Sequence, residues 1–546
     1  MSKIKLFKIL FCLSFINSFN GYTQNTIGVL TNTQDSFNGY TLFTSQKETY
    51  LINNCGEVIN QWSSDFVPGN SVYLLENGNL LRACKIENLD VDLPGAGGRV
   101  ELYNWEGTLL WGYNYSTSQV RQHHDIYPMP NGNVLILAAT VMTNSEAVQA
   151  GRNPANLPQS RLFNEQIIEI EPTGTTTANI VWEWNIKDHL IQDFDNTKDN
   201  FGIIEDHPEL LDINYLGGSE GNSNWLHINS MQYDETLNQI VLSSRLLDEI
   251  YIIDHSTTTV EAASHSGGTY GKGGDLLYRW GNPQAYGQGI PTDHQIYGQH
   301  YPHYIPSGSP NAGKLIVFNN GNGRIPEFSE VFILTPPTIA PGEYSYTANT
   351  AYGPTNPDYI YKDPIDETNF YSFFLSGAQE LPNGNILICS GANGYFFEID
   401  ENNNKVWEYV SPISAGNILT QGVDPVPVNS VFRAIRYASD YEGFSGRDLT
   451  PGLPIELMPD LSNCTVLSVE ENELSSIKIY PNPTKDIINI KSKTLIDKIE
   501  IYNVLGGLVL NKYNSKNVDL RNIPSGLYML KIHVSNTILS KKIMKQ

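Results

Sequence analysis

The chain has 546 residues, a formal net charge of −24 and 40% hydrophobic residues, enough for one large core and a small second domain. So acidic a chain repels nucleic acid and anionic membranes, which excludes both as partners. Glycine (45) and tyrosine (31) are plentiful, and no long run of Ala, Glu, Lys and Leu marks helices, so an all-β fold is expected.

At the N-terminus Lys3, Lys5 and Lys8 precede an apolar run and then small or polar residues up to Gln24, the pattern of a secretory signal peptide over residues 1–24. The run is well short of the roughly 20 residues that span a bilayer, and no other segment of the sequence is long and apolar enough to do so. Export places Cys55, Cys84, Cys389 and Cys464 in a disulfide-permissive compartment. Cys55 sits in a turn near the start and Cys464 in the segment leaving the last repeat, so a bridge between them would tie the two ends together. Cys84 and Cys389 lie in apolar strand runs and read equally well as buried thiols.

Two phrases then alternate along the chain. One is an apolar strand, a polar turn and a strand with an aromatic close, ending at Trp62, Trp111, Trp184, Trp280, Lys362 and Tyr409. The other is a strand with a turn corner six residues after a marked position, which is Asn70, His124, His227, His300 or Ser376. A pair of phrases supplies about four short strands, the content of one propeller blade, so residues 25–465 are expected to form a six-bladed β-propeller. The blades differ mainly in the connections 142–164, 187–224 and 335–359, long loops of the kind that line a site at one end of a ring. The phrase from Val431 is expected to complete the ring by pairing near the start.

From Ile477 onward the balance reverses to 12 Lys+Arg against 4 Asp+Glu, leaving 22 against 54 before it, which marks a domain boundary. The segment 466–546 reads as a small β-sandwich. Its motifs Tyr480-Pro481-Asn482-Pro483, Asn503-Val504-Leu505-Gly506, Ser525-Gly526-Leu527-Tyr528 and Lys541-Lys542 closely resemble the type A C-terminal sorting domain of the type IX secretion system of Bacteroidetes. That resemblance implies the secretion machinery as a partner, and a secreted or cell-surface location.

The marked position carries the chemistry. In a ring, equivalent positions converge, so His124, His227 and His300 should meet, while Asn70 and Ser376 show that folding does not itself require histidine there. Arg245, in V-L-S-S-R, needs an anion, and Asp248 is the nearest partner in sequence. Three imidazoles can hold zinc, but Arg245 would put positive charge beside the ion, so the pattern favours a small oxyanion and no metal. His123 takes the place of His124 if that strand is offset by one residue. His303 and His294 flank His300, which alone keeps the repeat phase.

The segments H-H-D-I-Y-P-M-P-N-G-N, W-L-H-I-N-S-M-Q-Y-D with V-L-S-S-R, and Q-H-Y-P-H-Y-I-P with L-I-V-F-N-N-G-N-G-R resemble the arylsulfotransferases, PAPS-independent enzymes with six-bladed propellers. The resemblance implies sulfuryl transfer from a phenolic sulfate ester to a phenol through a sulfohistidine. His300 would be the nucleophile, with His227, Asn229 and Arg245 cradling the sulfuryl oxygens. His124 would assist the leaving phenolate, and Ser376 would touch the anion. No cofactor is implied. Two other functions fit the same residues: a non-catalytic propeller that binds sulfated or phenolic ligands, and a hydrolase of aryl sulfates.

Overall fold

The computed structural model describes residues 25–425, 428–464, 477–492, 495–503, 506–534 and 537–546. The expected signal peptide and the expected domain junction at 465/466 lie outside or at the edge of those residues.

The chain up to Cys464 is all-β, as expected; its described residues form six antiparallel sheets of four or five strands in sequence order, with three two-stranded sheets in the connections. The second, third, fourth and fifth start with the strands Pro68–Leu74, Val120–Pro128, Ile228–Asp234 and His300–Tyr304, each followed by three more strands in simple succession. The first and sixth sheets are composite. Ile435–Ala438 lies beside Gly39–Ser45 in the first, and Gly28–Asn32 adds a fifth strand to the sixth, outside Lys405–Val410. The closing role expected of the phrase from Val431 is thus met, and the N-terminal strand adds a second closure.

Inner strands such as Leu315–Asn319 and Glu330–Leu334 are buried at every residue, so both faces of a sheet are covered, and a hydrophobic layer fills the space between every two consecutive sheets. Trp111 and Val100 of the second sheet pack on Ile126 and Ile168 of the third. Phe43 and Ile52 of the first pack on Phe396 and Trp407 of the sixth, so the series of layers returns to its start. The aromatic close of the first sequence phrase has a physical reason here. The indole N–H of Trp62, Trp111, Trp184, Trp280 and Trp407 each donates to a backbone carbonyl of the following sheet or its loops, at Asn104, Thr177, Gly274, Pro354 and Asn54 respectively. A buried indole needs such an acceptor, and the repeat supplies one at each junction but that after the fifth sheet, where Tyr361 stands instead.

Cys55 and Cys464 are joined by a disulfide across 409 residues of sequence, while Cys84 and Cys389 are buried free thiols. Closing so long a loop restricts the unfolded chain. Replacing both cysteines by serine should therefore lower stability by about 2–4 kcal/mol, measured as a shift of the urea midpoint, and an unchanged midpoint would remove this role from the bridge.

The C-terminal segment folds into a three-stranded and a four-stranded sheet, the latter ordered Leu508–Tyr513, Lys498–Asn503, Gly526–Val534, Thr537–Lys545. Ile488 and Val518 of the smaller sheet share one core with Ile499, Ile501, Leu530 and Ile532 of the larger.

Candidate active site

The first strands of successive sheets are fastened to one another by side chains that accept backbone N–H groups. Ser71 Oγ takes Ile126 N, the Asp125 carboxylate takes Met231 N, and Ser230 Oγ takes Tyr301 N. At the marked position the strand kinks through the left-handed region, with φ of 92° at Asn70, 49° at His124, 50° at His227 and 93° at Ser376. Such a residue costs on the order of 1–3 kcal/mol, offset here by bonds to the kinked backbone. His124 N donates to Gly95 O, and His227 O accepts from Arg245 N. In the fifth sheet the phase differs from the sequence pattern. There the kinked residue is Tyr301 (φ 57°), and His300 is the strand residue just before it.

The kinks bring His124, His227, His300 and Arg245 together. His124 Nε2 and His227 Nε2 are 3.2 Å apart. The charge of Arg245 is felt at all three imidazoles. All three histidines are buried. Gly95 makes the close approach possible, since a Cβ on it would stand 2.2 Å from the His124 ring.

Hydrogen-bond partners of fixed polarity determine which nitrogens carry protons. His300 Nδ1 faces two acceptors, Asn320 Oδ1 at 2.7 Å and Gly298 O at 3.1 Å. The orientation of Asn320 is itself settled, because its Nδ2 donates to the carbonyls of Ser372 and Leu375. Nδ1 of His300 therefore holds the proton and Nε2 presents a lone pair. A second chain runs from Glu165 through His123, His124 and His227 to Asn224. Glu165 Oε2 accepts from His123 Nε2 at 2.9 Å, and His123 Nδ1 lies 2.9 Å from His124 Nδ1. At the far end Asn224 Nδ2 donates to His227 Nδ1 at 3.2 Å. With an acceptor at one end and a donor at the other, each link takes one direction: His124 carries its proton on Nδ1, and its Nε2 accepts from His227 Nε2–H.

Burial, then Arg245, push the His300 imidazole down to about 3, against the opposing effect of its Asn320 and Gly298 bonds. Burial also holds His124 and His227 well below the ordinary imidazole range, reinforced by neighbouring histidines and Arg245. The Arg245 guanidinium is lowered by burial but opposed by Asp248. Among the described residues no carboxylate forms an ion pair with it. Asp248, its expected partner, instead accepts Gly298 N at 2.6 Å and lies 3.3 Å from His294.

The remaining sequence candidates stand behind this group. His123 is the link to Glu165. One N–H of Asn229 holds the carbonyl of Gln299, the residue before His300, at 2.7 Å. Ser376 Oγ bonds to Ser372 and Phe374 O, in the loop that anchors Asn320, and accepts Gly391 N, which follows the strand Ile386–Ser390. His303 lines a separate cavity of ≈ 290 Å³ with Tyr73, Tyr127 and Tyr301. Below His124, Asp125 and Arg433 form a buried ion pair at 2.9 Å, with the guanidinium 3.6 Å above the Tyr301 ring. Four residues of the site were not singled out as candidates from sequence: Glu165, Asn224, Gly298 and Asn320. Asn320 lies within the quoted F-N-N-G-N-G-R segment, but nothing in its spacing showed that it would meet a histidine 20 residues earlier.

The fold and site define an all-β chain that gathers three buried imidazoles and, among the described residues, a guanidinium without a carboxylate partner at the first strands of three consecutive sheets. The chain belongs to the arylsulfotransferase family, whose model matches residues 16–412, and it ends in a secretion system C-terminal sorting domain matched over 478–546. An ulvan lyase of Nonlabens ulvanivorans is 31% identical over 86 residues, a stretch covering 15% of this chain and 16% of the lyase. Among solved structures, a protein of unknown function from Bacteroides caccae is similar over 73% of this chain and 99% of its own, at 11% identity and a TM-score of 0.38. A periplasmic gluconolactonase of Pseudomonas aeruginosa is similar over 74% and 99%, at 11% identity and a TM-score of 0.34. The sorting domain gives the chain a route to secretion or the cell surface, and among the described residues no helix is long and apolar enough to cross a membrane.

Proposed function

We propose that the protein is a secreted aryl-sulfate sulfotransferase that works through a sulfohistidine at His300. On this reading the six sheets are the blades of a six-bladed β-propeller over residues 25–465. The two C-terminal sheets are a β-sandwich within 466–546 that addresses the chain to type IX secretion, and residues 1–24 are its signal peptide. The observation that carries the reading is the fixed tautomer of His300, which leaves a neutral Nε2 lone pair beside an unpaired guanidinium.

His300 Nε2 forms the N–S bond as the S–O bond to the donor phenol breaks, and the phenolate leaves with the bonding pair. Charge on the sulfuryl oxygens is met by Arg245, placed before the reaction begins, and by His227 Nε2–H once it turns from His124 Nε2 to the donor, which frees the His124 lone pair. Asn229 acts through the backbone of Gln299, which it holds. In the second half the acceptor phenol attacks sulfur, the N–S bond breaks with its pair returning to His300 Nε2, and the phenol's proton passes to His124 Nε2. The proton on His124 Nδ1 then moves to His123 Nδ1, and that on His123 Nε2 to Glu165. The reverse sequence returns a proton to a departing phenolate, so one relay serves both halves of a ping-pong cycle.

Incubation with 4-nitrophenyl sulfate, with and without phenol, tests this function. Transfer requires phenol for sustained nitrophenol release, release without phenol marks a hydrolase, and no release at all marks a binding protein.

The pH dependence is also set by the site. Burial and Arg245 keep His300 neutral down to about 3, so the rate of its sulfation should stay flat from about pH 8 to 5. An unperturbed imidazole would lose roughly 30-fold over that range. Rapid-mixing measurement of the first nitrophenol burst reads this directly, and an acid limb between 6 and 7 would refute it. Stability should behave otherwise. The folded state resists protonating these histidines while the unfolded chain does not, so stability is full above about pH 6.5 and declines as pH falls below it.

A further inference from the structure

A second cluster lies where the glycine-rich loop 266–274 meets the connection 187–224, and it shares no residue with the site above. His265 and Asp275 flank the loop, and His189 reaches them from the connection. Among the described residues they are the only trio of His, Cys, Asp or Glu side chains whose donor atoms all lie within 4.8 Å of one another. Asp275 Oδ1 is 2.8 Å from both His189 Nδ1 and His265 Nδ1.

The partner on the other side of His189 makes this arrangement informative. His189 Nε2 is 2.8 Å from Ala262 O, and a carbonyl oxygen only accepts, so Nε2 carries a proton. His189 Nδ1 therefore faces the Asp275 carboxylate across a contact that calls for positive charge, carried either by a second proton on the ring or by a metal cation between the two atoms. A ring nitrogen bonded to a backbone carbonyl while its other nitrogen faces a carboxylate is how proteins orient a metal-ligating imidazole. The ring is held further by Trp184, stacked on it at 5.6 Å and 10°.

We propose that His189 Nδ1, His265 Nδ1 and Asp275 Oδ1 bind a zinc ion. Two imidazoles and one carboxylate suit zinc or a neighbouring transition metal, whereas calcium and magnesium require oxygen ligands. Zinc–nitrogen bonds of about 2.0–2.1 Å place tetrahedral ligands roughly 3.3 Å apart, so the two contacts to Asp275 need open by only a few tenths of an ångström, and all three donor atoms already lie within 4.8 Å of one another. The side chains of His189 and Asp275 are 0% and 7% exposed and that of His265 is 63% exposed, which leaves the fourth position to solvent. The ion would clip the glycine-rich loop to the connection whose last residue, Asn224, holds His227.

The full-length protein, stripped with a chelator, is titrated with zinc chloride alone, and bound metal is counted after gel filtration by mass spectrometry. The expected result is one zinc per chain, lost in both His265→Ala and Asp275→Asn and kept in His227→Ala, which removes a histidine of the sulfuryl site. Because His265 is exposed, its replacement leaves the fold intact, and circular dichroism verifies that. A wild-type chain that holds no zinc, a His265→Ala chain that keeps it, or a His227→Ala chain that loses it each overturns the proposal.

Discussion

Replacing His300 with alanine abolishes turnover of 4-nitrophenyl sulfate and, with it, any mass increase of one sulfuryl group on the quenched protein. The loss is expected to be on the order of 10⁴-fold or more, because the nucleophile makes the bond on which both halves of the cycle depend, and removing such a group leaves only the catalysis of the surrounding electrostatics. The variant should fold. A buried but neutral imidazole is removed, and the Asn320 amide that it faced keeps two carbonyl partners. Wild-type protein quenched in the absence of phenol should carry the adduct on the peptide containing His300. An active His300→Ala chain would disprove the assignment, and an adduct on His124 or His227 would move the nucleophile to that residue.

The sequence made the convergence of the three histidines legible because their repeat position fixes where a first strand kinks. Aromatic residues at the close of the other phrase were legible too, and their spacing follows from the indole N–H that each junction between sheets must satisfy. The shift of phase at His300 was not legible. Its residue spacing to the next turn matches His124, yet the left-handed residue is Tyr301, and only the pairing of neighbouring strands decides between adjacent positions. Arg245 illustrates the other limit. A nearby carboxylate, Asp248, looked like its partner, but the local chain turns that carboxylate to the backbone of Gly298 instead. The tautomers were beyond sequence altogether, since they follow from which end of an amide faces a ring. Glu165, Asn224 and Asn320 come from three different sheets or connections and meet their histidines only in the fold.

The tautomer argument carries its own consequence at Asn320. Its amide reads in one direction because two backbone carbonyls, of Ser372 and Leu375, occupy its N–H groups, and so its oxygen holds the proton of His300 on Nδ1. Asn320→Leu removes that acceptor with little change of volume. The longer bond to the Gly298 carbonyl is then the acceptor left to Nδ1, so the imidazole more readily moves its proton to Nε2, the atom that must attack, or rotates away from Arg245. By analogy with residues that orient a catalytic imidazole, the rate of sulfation should fall roughly 10²–10⁴-fold, while the affinity for the donor, set by Arg245 and His227, changes little. Asn320→Asp keeps an acceptor at Oδ1 but sets its other oxygen against the Ser372 and Leu375 carbonyls, so it should recover the rate at neutral pH only in part, yet more than Asn320→Leu. Its added negative charge also opposes the effect of Arg245, so the acid limb should move up from about 3 toward the ordinary imidazole range. Equal loss in the Leu and Asp variants, with an unmoved pH profile, would mean that Asn320 only braces the loop 372–376 and leaves the tautomer of His300 to other groups.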